Sequence, residues 1–208
     1  RQRQMCIRDR CRGVIKRMRV EAFRSQKDID KFKRYLKRHK DKRLYPMFII
    51  GSNTGLRISD IVPLKVDQFR NKEYLIIKAE EKTGKRKTII INKAIREVIE
   101  EYYQESKGDE YLFKSQKGGH ICEGHAWRLF KEASKKCRIK YNIGTHTMRK
   151  TLGKKVNKIH GIETAQKILG HENQRDTLVY LGLEQEMIDG IMMDINICLL
   201  YTSPSPRD

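Results

Sequence analysis

Residues 168–180 read ILGHENQRDTLVY. Gly170 suits the end of a helix, where the chain turns into the left-handed region that a Cβ disfavours. His171 follows at once, and Tyr180 stands nine residues later behind a Thr-x-x-Tyr. A tyrosine near a helix is ordinarily a core or surface residue, so the stretch gains meaning only from others that would share a site with it.

Toward the N-terminus, the next such stretch is GTHTMRKT, residues 144–151. His146 and Arg149 lie three apart at a helix start, with Thr145 as N-cap behind Gly144. Both side chains can then face one point, to which the helix adds free N–H donors and partial positive charge. Such a point suits a phosphate or oxyanion, although a capping histidine and a solvated arginine would give the same letters. Earlier still, TGLRISD (54–60) sets Arg57 and Asp60 three apart after a glycine turn. An arginine held by a carboxylate is a good phosphate clamp, and an exposed ion pair would look the same. Between these stretches, EKTGKRK (81–87) places four basic residues, Lys82, Lys85, Arg86 and Lys87, around a Thr-Gly turn. It is either a charged hairpin tip or a finger that brings a lysine to DNA.

Helical periodicity is plain elsewhere. Ile29, Phe32, Tyr35 and Leu36 form a stripe that runs into the basic segment KFKRYLKRHKDKR (31–43), which includes Lys37 and Arg38. Ile95, Val98, Ile99, Tyr102 and Tyr103 form a second stripe, and Ala126, Leu129, Phe130, Ala133 and Cys137 a third. Met148, Leu152, Val156 and Ile159 continue the helix that starts near Thr145. These are core-facing helices. Strand character is confined to YLIIK (74–78) and KTIII (87–91), a hairpin, with a short strand at residues 66–69 expected to complete a small sheet. The predicted fold is mainly α with a small antiparallel β-sheet.

The 208 residues carry 46 Lys+Arg against 26 Asp+Glu, a net charge of +20, with 38% hydrophobic residues to build a core. So much charge of one sign repels itself within a compact chain and calls for a polyanion. The basic residues recur along the chain, not as one cationic helix face or a polybasic tail, which favours nucleic acid over a membrane surface. No run approaches the ~20 apolar residues of a membrane span, and the N-terminus lacks the apolar core of a signal peptide. The five cysteines are scattered without a C-x-x-C pair, so reduced thiols and a cytoplasmic setting are expected. His120, Cys122 and His125 match no standard zinc spacing, and no metal or other cofactor is expected. Residues 1–12 and 198–208 show no apolar period and resemble translated sequencing-adapter sequence; 1–17 and 198–208 are read as non-native or disordered ends around one domain at 18–197, with Met18 as the native start.

Taken in order, the four segments resemble the catalytic domain of the tyrosine recombinases, the phage integrase family, over roughly residues 18–195. That family carries an arginine in T-G-L-R-x-[ED], a hairpin lysine, H-x-x-R at a helix start, L-G-H, and a tyrosine nine residues after that histidine. The matching positions here are Arg57, Lys82, His146, Arg149, His171 and Tyr180, and Arg149 precedes His171 by 22 residues, also as in the family. Lys82 best matches the hairpin position, with Lys85 across the turn as the alternative.

The resemblance implies cleavage and rejoining of DNA through a 3'-phosphotyrosine, without metal or ATP. Arg57 and Arg149 would clamp the non-bridging oxygens, with hydrogen bonds from His171 and His146. Lys82 would protonate the leaving 5'-oxygen, Asp60 would orient the cations, and Tyr180 would attack. Fixed cations suit a transition state that gathers negative charge. Lys37, Arg38, Lys85, Arg86, Lys87 and Lys150 are expected to hold the DNA backbone. The implied partners are double-stranded DNA and further copies of the chain, a tetramer on paired sites, with no membrane and no small-molecule substrate. Residues 183–195, with Met187, Ile188, Ile191 and Met192, would dock on a neighbouring copy or on their own core. An accessory DNA-binding module of the same fold and a relaxing topoisomerase of type IB chemistry are the competing readings. Relatives often carry arm-binding and core-binding domains ahead of this one; residues 18–53 leave room for one helix and a basic arm, as in a minimal recombinase or a fragment.

Overall fold

The computed structural model describes residues 20–77 and 87–194. Helix α1 (Gln26–Arg38) starts at Ser25, whose hydroxyl accepts the Asp28 N–H at 3.1 Å, and buries Phe32 and Leu36 from its predicted stripe. Helix α2 (Leu44–Thr54) has no stripe to read because it is apolar all round; Leu44 through Gly51 are buried, and it packs against α1 and four later helices as the centre of the domain. Phe32 lies 5.5 Å from Phe48 of α2 and 5.9 Å from Phe130, ring centre to ring centre. Edge-to-face and tilted aromatic pairs of this kind stabilise beyond the area they bury.

A short helix α3 (Ile58–Ile61) follows the glycine turn. Strands β1 (Tyr74–Ile77) and β2 (Lys87–Ile90) pair antiparallel, with Tyr74 opposite Ile90 and Ile76 opposite Thr88. The third strand expected at 66–69 is not formed: Val66–Gln68 make a 3-10 turn, and Val66 and Phe69 are both buried. Their spacing of three matches a turn in which i and i+3 eclipse, not the alternation of a strand. Gln68 Oε1 also accepts the Lys65 N–H at 2.8 Å, a local bond that competes with a ladder.

Helices α4 (Lys93–Tyr103) and α5 (Glu123–Lys136) bury the predicted faces, Ile95, Val98, Ile99 and Tyr103 on one and Ala126, Phe130 and Ala133 on the other. Helix α6 (His146–Leu169) opens without a Thr145 cap: Thr145 has helical angles and its side chain makes no capping bond, while Thr147 Oγ1 accepts the Gly144 N–H at 3.1 Å. The helix is broken at Gly161 (φ 80°, ψ 172°), a conformation essentially reserved for glycine. Ile159, just before the break, is exposed, so the stripe stops short of it. Helices α7 (Gln174–Leu181) and α8 (Glu184–Asp194) complete the described residues.

Two apolar clusters result. The large one joins α1 to α5 and reaches Met148 at the start of α6; the small one gathers Ala165, Leu169 and Leu181, flanked by Val156, Ile162, Tyr180 and Leu183. Among the described residues no helix is long and apolar enough to cross a membrane.

Candidate active site

The first turn of α6 is seated on α2. A Cβ on Gly51 would lie 2.7 Å from Met148 Sδ, so the methionine packs directly on the α2 backbone at that glycine. Arg149, next to Met148, is 3% exposed and turns its guanidinium inward. Nη1 donates to the Gly55 carbonyl in the turn before Arg57, and Nη2 donates to the Leu169 carbonyl at the far end of α6. Both acceptors belong to helix ends, α2 and α6, where carbonyls lack an intrahelical partner and carry partial negative charge. Arg57 follows that turn in extended conformation, and its N–H donates to Asp60 Oδ2 at 3.3 Å. The Asp60 carboxylate therefore holds the start of α3 and opposes the positive charges of Arg149 and Lys87.

Gly170 (φ 65°) ends α6 as expected, and the His171 N–H returns to the Gln166 carbonyl at 3.2 Å. His171 Nε2 lies 3.4 Å from Arg149 Nη2, and its Nδ1 lies 3.0 Å from Thr177 Oγ1. A guanidinium can only donate, so this geometry assigns Nε2 as acceptor and Nδ1 as the protonated nitrogen, donating to Thr177. Burial, then Arg149 and Arg57, hold the His171 pKa below its ordinary value.

Tyr180 lies near the end of α7, whose Asn173 cap accepts the Asp176 N–H at 2.8 Å. A Cβ on Gly153 would meet Leu181 Cδ2 at 2.7 Å, which shows how closely α7 lies on α6. The Tyr180 hydroxyl is 3.4 Å from His146 Nδ1, and its ring centre is 5.2 Å from that of His171. Arg149 Cζ and Lys150 Nζ lie 5.8 and 5.0 Å from the centre of the same ring. Burial raises the Tyr180 pKa, and Arg149 and Arg57 pull against that rise without cancelling it. His146 keeps broad solvent contact, yet the atoms packed around its ring, then Arg149, Lys150 and Arg57, lower its pKa against the opposing Glu123. The pair thus rests as a protonated phenol beside a neutral imidazole, the states needed for the tyrosine to lose its proton to the histidine.

Arg57, Asp60, His146, Arg149, Lys150, His171 and Tyr180 are thereby brought to one region. Lys82, Lys85 and Arg86 lie outside the described residues. Lys87 points inward: its Nζ donates to the Ile168 carbonyl at 2.8 Å, and burial, then Arg149, lower its pKa to about 8. Lys37 forms an ion pair with Glu101 at 3.2 Å, and Arg38 is exposed on a basic groove with Lys31, Arg34 and Lys136. Among the described residues no group of three His, Cys, Asp or Glu could hold a metal ion; His120 Nδ1 lies 2.9 Å from the Ile121 carbonyl. Two members of the site carried no role in the sequence. Thr177, fully buried, sits inside the Thr-x-x-Tyr that marked Tyr180. Gln166, whose Nε2 donates to the carbonyls of His171 and Glu172, has no sequence signal at all.

The chain is a member of the phage integrase family, whose model matches residues 23–187 and so spans every one of these positions. It is 39% identical over 169 residues to a probable integrase/recombinase, YoeC, of Bacillus subtilis (strain 168), covering 80% of this chain and 92% of that protein. A tyrosine recombinase of Pseudothermotoga lettingae is 29% identical over 183 residues, which are 84% of this chain and 61% of that protein. The crystal structure of XerA recombinase shares the fold at a TM-score of 0.66 and 20% identity, over 85% of this chain and 65% of that one. The Tn1549 transposon integrase in complex with a circular intermediate DNA does so at 0.63 and 17% identity, over 83% of this chain and 66% of that one.

Proposed function

We propose that residues 18–197 form the catalytic domain of a site-specific recombinase that cuts and rejoins double-stranded DNA through Tyr180. The observation that carries this reading is the approach of the Tyr180 hydroxyl to His146 Nδ1, beside Arg149 and His171. In the step, Tyr180 Oη bonds to phosphorus and its proton passes to His146. The bond from phosphorus to the 5'-oxygen breaks, and that oxygen takes a proton from Lys82, leaving a 3'-phosphotyrosine and a free 5'-hydroxyl. Arg57 and Arg149 hold the non-bridging oxygens, His171 joins them as a donor once the bound phosphate draws a proton onto its Nε2, and Asp60 orients the two arginines. Because the phosphoester bond is kept, a new 5'-hydroxyl can reverse the step without ATP.

Lys37, Arg38, Lys85 and Arg86 hold the backbone from outside this centre and Lys150 holds it beside Tyr180, so affinity should fall steeply with salt, by roughly 0.9 log unit per log unit for each phosphate neutralised. The working form is a tetramer on paired sites in the cytoplasm. Met187, Ile188 and Met192 of α8, each at least half exposed, are the apolar surface that a neighbouring copy would cover.

The test is a duplex made from the DNA flanking the gene and nicked so that the cleaved strand is trapped. Wild type should form a covalent adduct, and Tyr180→Phe should lose it while still binding. No adduct from wild type would make the protein a binding module, and relaxation of supercoils without a preferred site would make it a topoisomerase.

A further inference from the structure

Lys87 was expected to hold DNA, but its position in the fold suggests another use. It is the first residue of β2, at the base of the basic hairpin, and its ammonium group crosses 81 residues of sequence to reach the last turn of α6. Four carbonyls there have lost their helical partners. Those of Gln166 and Lys167 accept the N–H groups of His171 and Gly170. The Leu169 carbonyl is taken by Arg149 and the Ile168 carbonyl by Lys87. Two side-chain cations therefore close the end of the helix from which His171 emerges, and one of them is a centre of the proposed phosphate site. Their mutual repulsion is offset by the carbonyl dipoles and by Asp60.

We propose that Lys87 is a positioning residue, a latch that ties the base of the hairpin to the turn presenting His171 and so fixes Arg149 and His171 for the phosphate. This rests on the recombinase reading for its catalytic consequence, though not for the latch itself. A lysine whose task was only to meet DNA would extend into solvent. This one is half-buried, and the carbonyl it grips is next to the one that Arg149 grips. A displacement of β2 would therefore be felt at both cations. The groups that face its ammonium are Arg149 on α6, Arg57 and Asp60 at the start of α3, and His171 beyond Gly170.

The full chain, Lys87→Met and Lys87→Arg are compared on the nicked duplex described above in single-turnover cleavage and in binding. Lys87→Met should cleave roughly 10- to 100-fold more slowly, as small misplacements of reacting groups do, with affinity within about threefold of wild type. Lys87→Arg should recover most of the rate, and cleavage by wild type should decline above pH 8, where Lys87→Arg holds. Equal losses of affinity and rate in Lys87→Met would make the residue a plain DNA contact and overturn the latch, as would an unchanged rate. A measurement on the DNA-free protein separates this from failure of the recombinase reading. The His171 imidazole, followed by NMR, should titrate at higher pH in Lys87→Met than in wild type and near the wild-type value in Lys87→Arg. An unmoved His171 titration overturns the latch even if no variant cuts DNA.

Discussion

The two halves of the active site stand on unequal foundations. His146 and Arg149 begin a helix seated on the large cluster, where Phe32, Met47, Ile50 and Phe130 are almost wholly buried. Tyr180 rides on α7, which is held by Leu181, Ala165 and Leu169 and by partly buried neighbours. Burial of apolar area contributes roughly 25 cal/mol per Å², so the side that carries the nucleophile has far less of it to draw on. Segments with few buried contacts open at lower free energy than the core does. What registers the halves is polar: Arg149 takes one carbonyl from each side, Gly55 and Leu169, and Thr177 holds His171. The clamp is built on the large cluster, whereas the tyrosine sits on an element held by the small one.

That difference can be broken from either side. Phe32→Ala should cost about 3–5 kcal/mol and lower the melting temperature of the whole domain, read by calorimetry. Leu181→Ala should cost about 2–3 kcal/mol, toward the low end for such truncations because its surroundings are partly open. Its loss should appear in amide exchange confined to residues 174–181, with cleavage reduced more than melting temperature. If exchange in α1 rises equally, the two clusters are one cooperative unit and the contrast fails. Thr177→Val keeps the shape, removes the partner of His171 Nδ1, and should cost about 1–2 kcal/mol; cleavage should fall while affinity for DNA holds.

The smallest effect concerns pH. His146 and His171 both titrate below their ordinary value when folded, so the unfolded chain binds more protons just below pH 6.5. Stability is therefore full above pH 6.5 and declines as pH falls from there toward the folded values. Melting temperatures from pH 7.5 to 5.5 should show this decline, and His146→Gln and His171→Gln should each flatten part of it, reporting the two sides separately.

The sequence made the site legible because its residues stand at helix ends, where spacing alone says what faces what. His146 and Arg149 share a turn, and Gly170 announces where His171 begins. The stripes of α1, α4 and α5 were equally readable, since one face of each is polar. Helix α2 was not, because a helix buried on every side has no period. The segment at 66–69 reads as a strand next to the hairpin, but its apolar residues Val66 and Phe69 stand three apart, the spacing of a turn. The long ties escaped entirely: Arg149 to Gly55 spans 94 residues and Lys87 to Ile168 spans 81, and nothing local in either pair marks the other.

The break at Gly161 has a consequence for reach. An unbroken helix rises about 1.5 Å per residue, so the twenty residues from Arg149 to Leu169 would set them about 30 Å apart. The Arg149 guanidinium nonetheless bonds the Leu169 carbonyl. The chain must double back at Gly161 for one side chain to hold both ends, and the residue that makes this possible bears no side chain and touches none of the reacting groups. A substitution there would act as a change of distance, separating His171 and Tyr180 from the arginine while leaving every functional group in place.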